Sequence, residues 1–493
     1  MEHIADELER LRSSEHCEKG ECEYEFKSEN DEKEGSRFYL VASIFTVTLL
    51  TFGAGAHIAW ASPTIPRLKS KDATINPLDE PVSVSGISFI VGSFYIGSLV
   101  VCLVPPRVLD SYGRRPAMVL IATCLSIASV LEAFSRTWWL YCLCRMIIGM
   151  GKGACFYMIP MYIGETARKE NRGRFVLFIM VMLLAGMLYS YTLGPYFSTK
   201  VYTLLCSAPL VLSLLLMSVF VPETPYFLVS RNRPRDEVAK NLEKLRCTKD
   251  IRKEMKQIES VVQGKMTDGQ QQKTTYISLF EDRKCRKVLF INTCMMIFHL
   301  LAGVTVIHAF LGPIVDLVGS NHWSGNTWAI LVASIKLVSS FAAAVVVDRF
   351  GRKPLMIGSS VCCAICHFFL GLYFQLQAMG YSFVDQLAPI PLLAILIFSM
   401  GYSFGLGPVP FAYVSELFPQ HVKNVGVPIC MGIATIFNTA IALTFPFFME
   451  YLGMQWCFWI YGLSCAGSAI FTKCVAPETK GKTLEEIQSM LDS

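Results

Sequence analysis

Twelve apolar stretches recur along this chain, and each is long enough to cross a membrane as a helix. The hydrocarbon layer of a bilayer is about 30 Å thick, and an apolar helix of about 20 residues spans it. The 493 residues are 53% hydrophobic and 17% charged, with a mean hydropathy of +0.44. This pattern predicts an all-α membrane protein with twelve transmembrane helices embedded in a lipid bilayer. The stretches are 38–61, 86–106, 117–134, 138–163, 175–196, 201–221, 287–317, 328–347, 354–377, 387–415, 426–449 and 454–475.

One phrase occurs twice, as LDSYGRRP at 109–116 and as VDRFGRKP at 347–354. Each copy lies between the second and third stretch of a group of six, and a charged segment separates the two groups. Matching features at matching positions indicate an internal repeat. The repeat predicts two six-helix halves with a cytosolic helical linker and two cytosolic tails, the first of them disordered. The predicted boundaries are 1–36, 37–221, 222–286, 287–475 and 476–493.

The basic residues between the stretches predict the orientation. Arg107, Arg114, Arg115 and Arg352 fall on the same side as the long linker, whereas most loops of the other side contain almost no cations. Because cytosolic loops of membrane proteins are enriched in lysine and arginine, we expect a multi-pass cell-membrane protein with both termini in the cytosol. The net charge of +5 is spread over these loops, so no nucleic-acid partner is expected.

The cysteines and histidines indicate no metal site. Most of the 18 cysteines lie inside apolar stretches, where they act as small hydrophobic residues. No Cys/His spacing fits a metal centre, and no nucleophile, base and orienting acid share a candidate site. We therefore expect neither an enzyme nor a metal or cofactor, and the sequence leaves the oligomeric state open.

Several motifs together resemble a known family. Arg145 is followed by glycines at 149, 151 and 153, and the segments PETPYFL (222–228), GLGPVPF (405–411) and PETKGKTLEEI (477–487) follow. This set resembles the sugar porter branch of the major facilitator superfamily, and HIAWASPTIPRL (57–68) is most similar to insect facilitated trehalose transporters. The resemblance implies the major facilitator fold, a central small-molecule site and transport by alternating access.

The resemblance also implies a network of charges between helix ends. Such a network would close the cytosolic face while the carrier opens outward, by biasing a two-state equilibrium. Replacing Arg115 or Glu165 with alanine should then favour the inward-open state. The predicted network consists of Asp110, Arg114, Arg115, Arg145, Glu165, Glu223, Asp348, Arg349, Arg352, Glu416 and Glu478.

The positions that bind sugar in the family carry unusual residues here. Amide side chains suit a sugar because each offers a donor and an acceptor to neighbouring hydroxyls, but only Asn438 keeps its amide. Met180, Leu300 and Phe411 at three of the other positions favour a more apolar ligand. The predicted substrate-binding residues are Met180, His299, Leu300, Thr305, Lys336, Phe411 and Asn438.

Lys336 is the most unusual of these residues, since it lies near the middle of the eighth stretch. Asp348 marks the cytosolic end of that stretch twelve residues on, about 18 Å away. A mid-membrane cation needs water or a partner, and three states are open: a wet cavity, a neutral amine bonded to Ser339, Ser340 or backbone carbonyls, or an anionic solute. The sequence shows no mid-span carboxylate, because Glu132 and Asp316 lie toward the outer ends.

Three functions therefore stay open at this point. The motifs favour a facilitative carrier of trehalose or a hexose, and Lys336 favours a carrier of an amphipathic or anionic organic solute. A non-transporting sensor is the third. Proton-coupled relatives have an aspartate in the first stretch close to the arginine of the fourth. Gly55 occupies that position here, so we expect Arg145 to lack an acidic partner and transport not to be proton-coupled, unless His57 titrates instead.

Overall fold

The computed structural model describes residues 38–78, 80–102, 112–246, 251–271, 282–318, 325–381, 383–482, 486 and 490. Within these ranges the regular structure is helical. Eleven helices are long and apolar enough to cross a bilayer, and a twelfth, of 21 residues, completes the second half. The predicted all-α, twelve-helix fold is confirmed.

The twelve long helices fall into two sets of six. The first set is α1 Phe38–Lys69, α2 Val84–Cys102, α3 Arg114–Ala133, α4 Trp138–Thr166, α5 Lys169–Leu193 and α6 Thr199–Phe220. Three short helices follow: α7 Pro225–Ser230, α8 Arg235–Arg246 and α9 Arg252–Gln271. The second set is α10 Arg283–Val318, α11 Gly325–Phe350, α12 Arg352–Ala378, α13 Pro389–Leu417, α14 Gln420–Phe447 and α15 Met454–Cys474. We call the end of the bundle at which α7–α9 lie the linker side, and the other end the opposite side.

Two helices of the second half are broken. Helix α10 consists of α10a (Arg283–Leu301) and α10b (Val304–Val318), and α13 consists of α13a (Pro389–Phe404) and α13b (Val409–Leu417). Gly303 has a φ of 78° at the first break, a conformation that favours glycine because it has no Cβ. The breaks free carbonyl groups near the centre of the bundle, and His299 Nδ1 lies 2.7 Å from the carbonyl oxygen of Leu406.

The linker helices are attached to the first half by a buried arginine. Arg246 pairs with Glu254 at 2.7 Å and donates to the carbonyl of Thr166, the last residue of α4. Leu242, Ile251 and other apolar residues form a small separate core between the helices. The linker therefore packs on the linker-side end of α4.

Close helix contacts in the first half depend on glycine. A Cβ built on Gly97 of α2 would lie 1.9 Å from the carbonyl oxygen of Met146 in α4, and one on Gly149 of α4 would lie 1.8 Å from that of Phe94 in α2. The pair α1 and α5 repeats the arrangement through Gly55 and Gly186. Small residues allow membrane helices to approach this closely.

Several contacts between the two halves lie on the opposite side of the bundle. The amide of Gly312 in α10b donates to Ser62 Oγ in α1 (2.9 Å), and Lys69 pairs with Glu450 at 3.6 Å. Deeper in the bundle, the Tyr191 hydroxyl of α5 donates to the carbonyl of His308 in α10b (2.6 Å). These contacts join α10b and the segment after α14 to the first half.

Candidate functional site

The first copy of the repeated phrase forms part of a charge cluster at the start of α3. Gly113, with a φ of 99°, precedes the helix. The Glu223 carboxylate accepts from the backbone amides of Arg114 (3.0 Å) and Arg115 (3.3 Å), which have no partner within the helix. The Arg114 guanidinium pairs with Glu165 of α4 at 2.9 Å. This cluster ties the start of α3 to the end of α4 and to the segment after α6.

The second copy builds the same cluster in the second half. Gly351 has a φ of 90°, and Glu478 accepts from the amides of Arg352 (3.1 Å) and Lys353 (3.0 Å). Arg352 pairs with Glu416 of α13b at 3.1 Å. The phrase is repeated because each half uses a carboxylate to cap its third helix and an arginine to hold its fourth.

Two threonines complete these clusters, and the sequence prediction missed them. The Thr224 hydroxyl donates to Glu165 (2.6 Å) and the Thr479 hydroxyl donates to Glu416 (2.6 Å). Both follow the capping glutamate in a Pro-Glu-Thr triplet that occurs at 222–224 and again at 477–479. That second repeat was the signal that could have identified them.

The two capping carboxylates differ in their surroundings. Burial raises the pKa of Glu223, although the amides of Thr224, Arg115 and Arg114 oppose this effect. Burial also acts to raise the pKa of Glu478, but the amides of Lys480, Arg352, Lys353 and Thr479 outweigh it and lower the pKa below its ordinary value. On acidification, the first-half carboxylate is therefore protonated before its second-half counterpart.

Other members of the predicted network occupy different positions. The Arg115 guanidinium donates to the Ser218 carbonyl (2.7 Å), so Arg114 rather than Arg115 pairs with Glu165. Arg349 is exposed, and its carbonyl accepts from Lys480. Asp110 and the side chain of Asp348 lie outside the described part of the structure. The contacts described for each cluster stay within one half.

We expect Glu165→Ala to leave the protein folded and to loosen the linker-side end of the first half, which favours opening on that side. Probes attached through non-canonical amino acids at Tyr112 and Phe350 should move apart, and probes at Tyr196 and Tyr381 should move together. All four positions are exposed, so labels there disturb little packing. Arg115→Ala is the matched control because, within the described residues, its guanidinium donates to a backbone carbonyl and not to Glu165. If the distances between the probes were the same in both variants and in the wild type, the cluster would only hold the helix ends in place and would not influence opening.

Arg145 does not belong to the linker-side network, which corrects the prediction. It lies in the opposite-side half of α4, is 1% exposed, and its guanidinium carbon is 4.9 Å from the ring centre of Trp60. Its Nε donates to the carbonyl of Ile90 (3.0 Å). The repeated loops are on the other side of the bundle, so Arg145 has a different role.

Arg145 also has an acidic partner, contrary to the prediction. Its Nη1 is 3.6 Å from Glu132 Oε1, and the other carboxylate oxygen is 3.2 Å from His57 Nδ1. All three side chains are buried. The sequence placed Glu132 toward the outer end of its stretch, and the structure shows that the side chain there is fully buried. The acid therefore comes from α3 rather than from α1.

Gly55 has a packing role that explains the absence of an acid at its position. A Cβ there would lie 2.0 Å from the carbonyl oxygen of Leu183 in α5. No side chain fits without separation of α1 from α5.

A central cavity lies between the halves, where α5, α10b, α11 and α13a meet. It is small in this conformation, about 20 Å³, enough for one water molecule. Its lining is mostly apolar, with His308, Lys336, Ser399, Tyr191 and Tyr402 as the polar side chains. The apolar lining residues are Leu184, Met187, Val304, Ile307, Leu311, Val332, Ala333 and Phe398.

Lys336, one of the predicted substrate-binding residues, lines this cavity. Its Nζ contacts His308 Nε2 and lies 5.2 Å from the ring centre of Tyr402. The hydroxyls of Ser339 and Ser340 instead donate to the backbone carbonyl of Lys336. The expectation that Ser339 or Ser340 binds the amine is therefore wrong. The amine contacts His308 instead.

Two more of the predicted residues gather around Tyr402. Its hydroxyl is 2.9 Å from His299 Nδ1, and the His299 ring packs edge-on to Phe411 with 5.2 Å between ring centres. Tyr402 was not predicted, because tyrosine in an apolar stretch gives no distinct signal. His299, Lys336 and Phe411 thus form one polar and aromatic group at the broken helices.

The remaining predicted residues are placed differently. Thr305 donates to Asn438 Oδ1 (2.6 Å), which joins α10b to α14. Leu300 is 6% exposed and packs in the core, so its predicted contact with the solute is not supported. Met180 is 40% exposed and lies one turn from Leu184, a lining residue, on α5.

Twelve helices in two matching halves, broken helices at the centre and a cavity between the halves define a membrane carrier. The sequence model described as "Sugar (and other) transporter" matches residues 23–491. The chain therefore belongs to this family of transporters, and the predicted resemblance is confirmed.

Individual relatives agree with this assignment. The mouse protein "Solute carrier family 2, facilitated glucose transporter member 6" is 30% identical over 461 residues, which cover 90% of each chain. The silkworm (Bombyx mori) "Facilitated trehalose transporter Tret1" is 27% identical and covers 91% of this chain and 86% of its own. The inward-open xylose transporter XylE of E. coli has the same fold, with a TM-score of 0.74 at 24% identity over 92% of this chain and 99% of that one.

Proposed function

We propose that this protein is a facilitative carrier of a sugar, of the hexose or trehalose class, and that it works by alternating access. The observation that carries the proposal is the position of the cavity. It lies between two halves that are joined on the opposite side by Gly312–Ser62 and Lys69–Glu450, while the described contacts of the linker-side clusters remain within each half. Breaking the Gly312–Ser62 and Lys69–Glu450 contacts would open the cavity to the opposite side.

Helix α10b is the moving part in this proposal. It carries His308, whose side chain contacts Lys336 in the cavity. The backbone carbonyl of His308 accepts a hydrogen bond from Tyr191 of the first half. It begins at the Gly303 break, and Phe310 (φ −125°, ψ 17°) interrupts it again. A solute that binds near Lys336 and His308 would therefore act directly on the contact that holds the halves together.

The charge distribution supports an orientation. The linker side carries Arg114, Arg115, Arg352, Lys353 and the basic residues of α7–α9, so it faces the cytosol under the positive-inside rule. Both termini are then cytosolic in a cell-membrane protein, with 37–221 and 287–475 as the two halves. The structure would correspond to an inward-facing state.

Uptake into proteoliposomes tests the proposal. Purified full-length protein should take up radiolabelled D-glucose or trehalose with saturation, at least tenfold faster than L-glucose of the same size. A pH-sensitive dye in the lumen should report no matching proton influx. Uptake of none of these solutes would overturn the sugar-carrier proposal. Proton influx in proportion to solute would contradict the facilitative mechanism and would draw attention to Glu132 and His57.

A further inference from the structure

The central cavity contains a cation, Lys336, for which the described residues provide no acidic partner. Lys336 is the twelfth residue of the 26-residue helix α11, so it lies near mid-membrane. Among the residues that the structure describes around the cavity, none is a carboxylate. Its closest polar contact is His308, a second base. An imidazole can accept a hydrogen bond from the amine but does not neutralise its charge.

The other polar groups of the cavity are already bonded within the protein. Tyr191 donates to the carbonyl of His308 (2.6 Å), and Ser399 donates to the carbonyl of Ile395 (2.9 Å). The Tyr402 hydroxyl is held by His299. A neutral sugar needs several donors and acceptors around its ring, and few of these groups are free to provide them. The lysine ammonium is the group that has donors to spare.

We propose that the transported solute carries one negatively charged carboxylate, which Lys336 binds in the central cavity, and this inference rests on the proposed carrier function. A charged group at mid-membrane is unfavourable unless it is paired or hydrated. An anionic solute supplies the missing charge, and a charge-assisted hydrogen bond to the ammonium is about twice as strong as a neutral one. The apolar walls would contact the uncharged part of the solute. Because Lys336 contacts His308, the bound anion would act on α10b.

A pair of probes of nearly equal size tests the inference. D-Glucuronate is a hexose in which C6 is a carboxylate, and D-glucose is its neutral counterpart. Wild-type proteoliposomes should take up glucuronate at least tenfold faster than glucose at equal, subsaturating concentration. An inside-positive membrane potential should accelerate glucuronate uptake and leave glucose uptake unchanged, since only the former moves charge.

Substitution of the lysine should change the preference rather than abolish transport. Lys336→Asn should reduce glucuronate uptake at least tenfold and retain or raise glucose uptake, whereas Lys336→Arg should keep the preference for the anion. Lys152→Asn is the matched control. It removes another membrane cation, which lies 5.2 Å from the ring centre of Phe156 and is not among the residues that line the cavity. The ratio of glucuronate uptake to glucose uptake should therefore stay as in the wild type.

The outcomes separate the two proposals. Uptake of neutral sugar with no preference for glucuronate, unchanged by Lys336→Asn, would overturn the anion inference and leave the sugar carrier intact. Uptake of neither probe and of no sugar would overturn the carrier proposal itself. A loss of folded Lys336→Asn protein would be recognised by size-exclusion chromatography, and the wild-type preference and its voltage dependence then decide the question without the variant.

Discussion

Replacement of Glu132 with glutamine should lower the apparent unfolding temperature of the detergent-solubilised protein by roughly 6–10 °C. The carboxylate is fully buried between Arg145 and His57, and the variant leaves the guanidinium as an uncompensated charge. Breaking one side of a buried pair costs about 3–5 kcal/mol, and each kcal/mol shifts the unfolding temperature of a large domain by about 2 °C. Thermal unfolding followed by intrinsic tryptophan fluorescence measures the shift.

Two further variants test this explanation of the Glu132 effect. Glu132→Gln combined with Arg145→Gln removes both charges and should recover much of the lost stability. Glu80→Gln changes an exposed carboxylate and should alter stability by no more than about 0.5 kcal/mol. A double variant no more stable than Glu132→Gln alone would show that the pair does not act as a charged unit.

Gly149→Ala should lower the unfolding temperature by about 2–6 °C, although alanine is the better helix former. Its methyl group would lie 1.8 Å from the carbonyl oxygen of Phe94, so α2 and α4 would have to separate. Overpacking of this kind costs about 1–3 kcal/mol or more, and each kcal/mol corresponds to about 2 °C. The same thermal unfolding experiment measures this shift of the unfolding temperature.

The same helix provides the control for Gly149→Ala. Gly164 also lies in α4, and a Cβ there meets no atom within 4 Å. Gly164→Ala should therefore be neutral or stabilising, since alanine favours the helix by about 1 kcal/mol over glycine. If both variants lost the same stability, the cost would come from glycine replacement in α4 as such and not from the contact with α2.

The fold was predictable from the sequence because its determinants are local. Apolar stretches of membrane length and a phrase repeated in register require no knowledge of which helices touch. The charge clusters were predictable in part because the resemblance to the sugar porter family implies a network that includes Arg114, Glu165, Arg352 and Glu416. Their exact pairs depend on side-chain direction, so the sequence did not distinguish Arg114 from Arg115.

Contacts between distant helices were the part that could not be predicted. Glu132 belongs to α3, and its partners Arg145 and His57 belong to α4 and α1. Its position along the sequence indicated only that it lies toward the outer end of its stretch, and the packing of α1, α3 and α4 brings the three side chains together. Lys336 was recognisable as unusual from its depth in α11, but its contact with His308 depends on the break at Gly303, which directs α10b toward α11.

The contacts on the opposite side also bear on the kinetics of a carrier. Ser62–Gly312, Lys69–Glu450 and Tyr191–His308 join the halves in this conformation. Under alternating access, all three must break before an empty carrier can turn back to that side. Under the proposed function, a solute bound beside His308 would act on one of them, so we expect reorientation with cargo to be faster than reorientation without it. Exchange of labelled for unlabelled solute across the membrane would then outpace net uptake, and solute on the far side would stimulate influx.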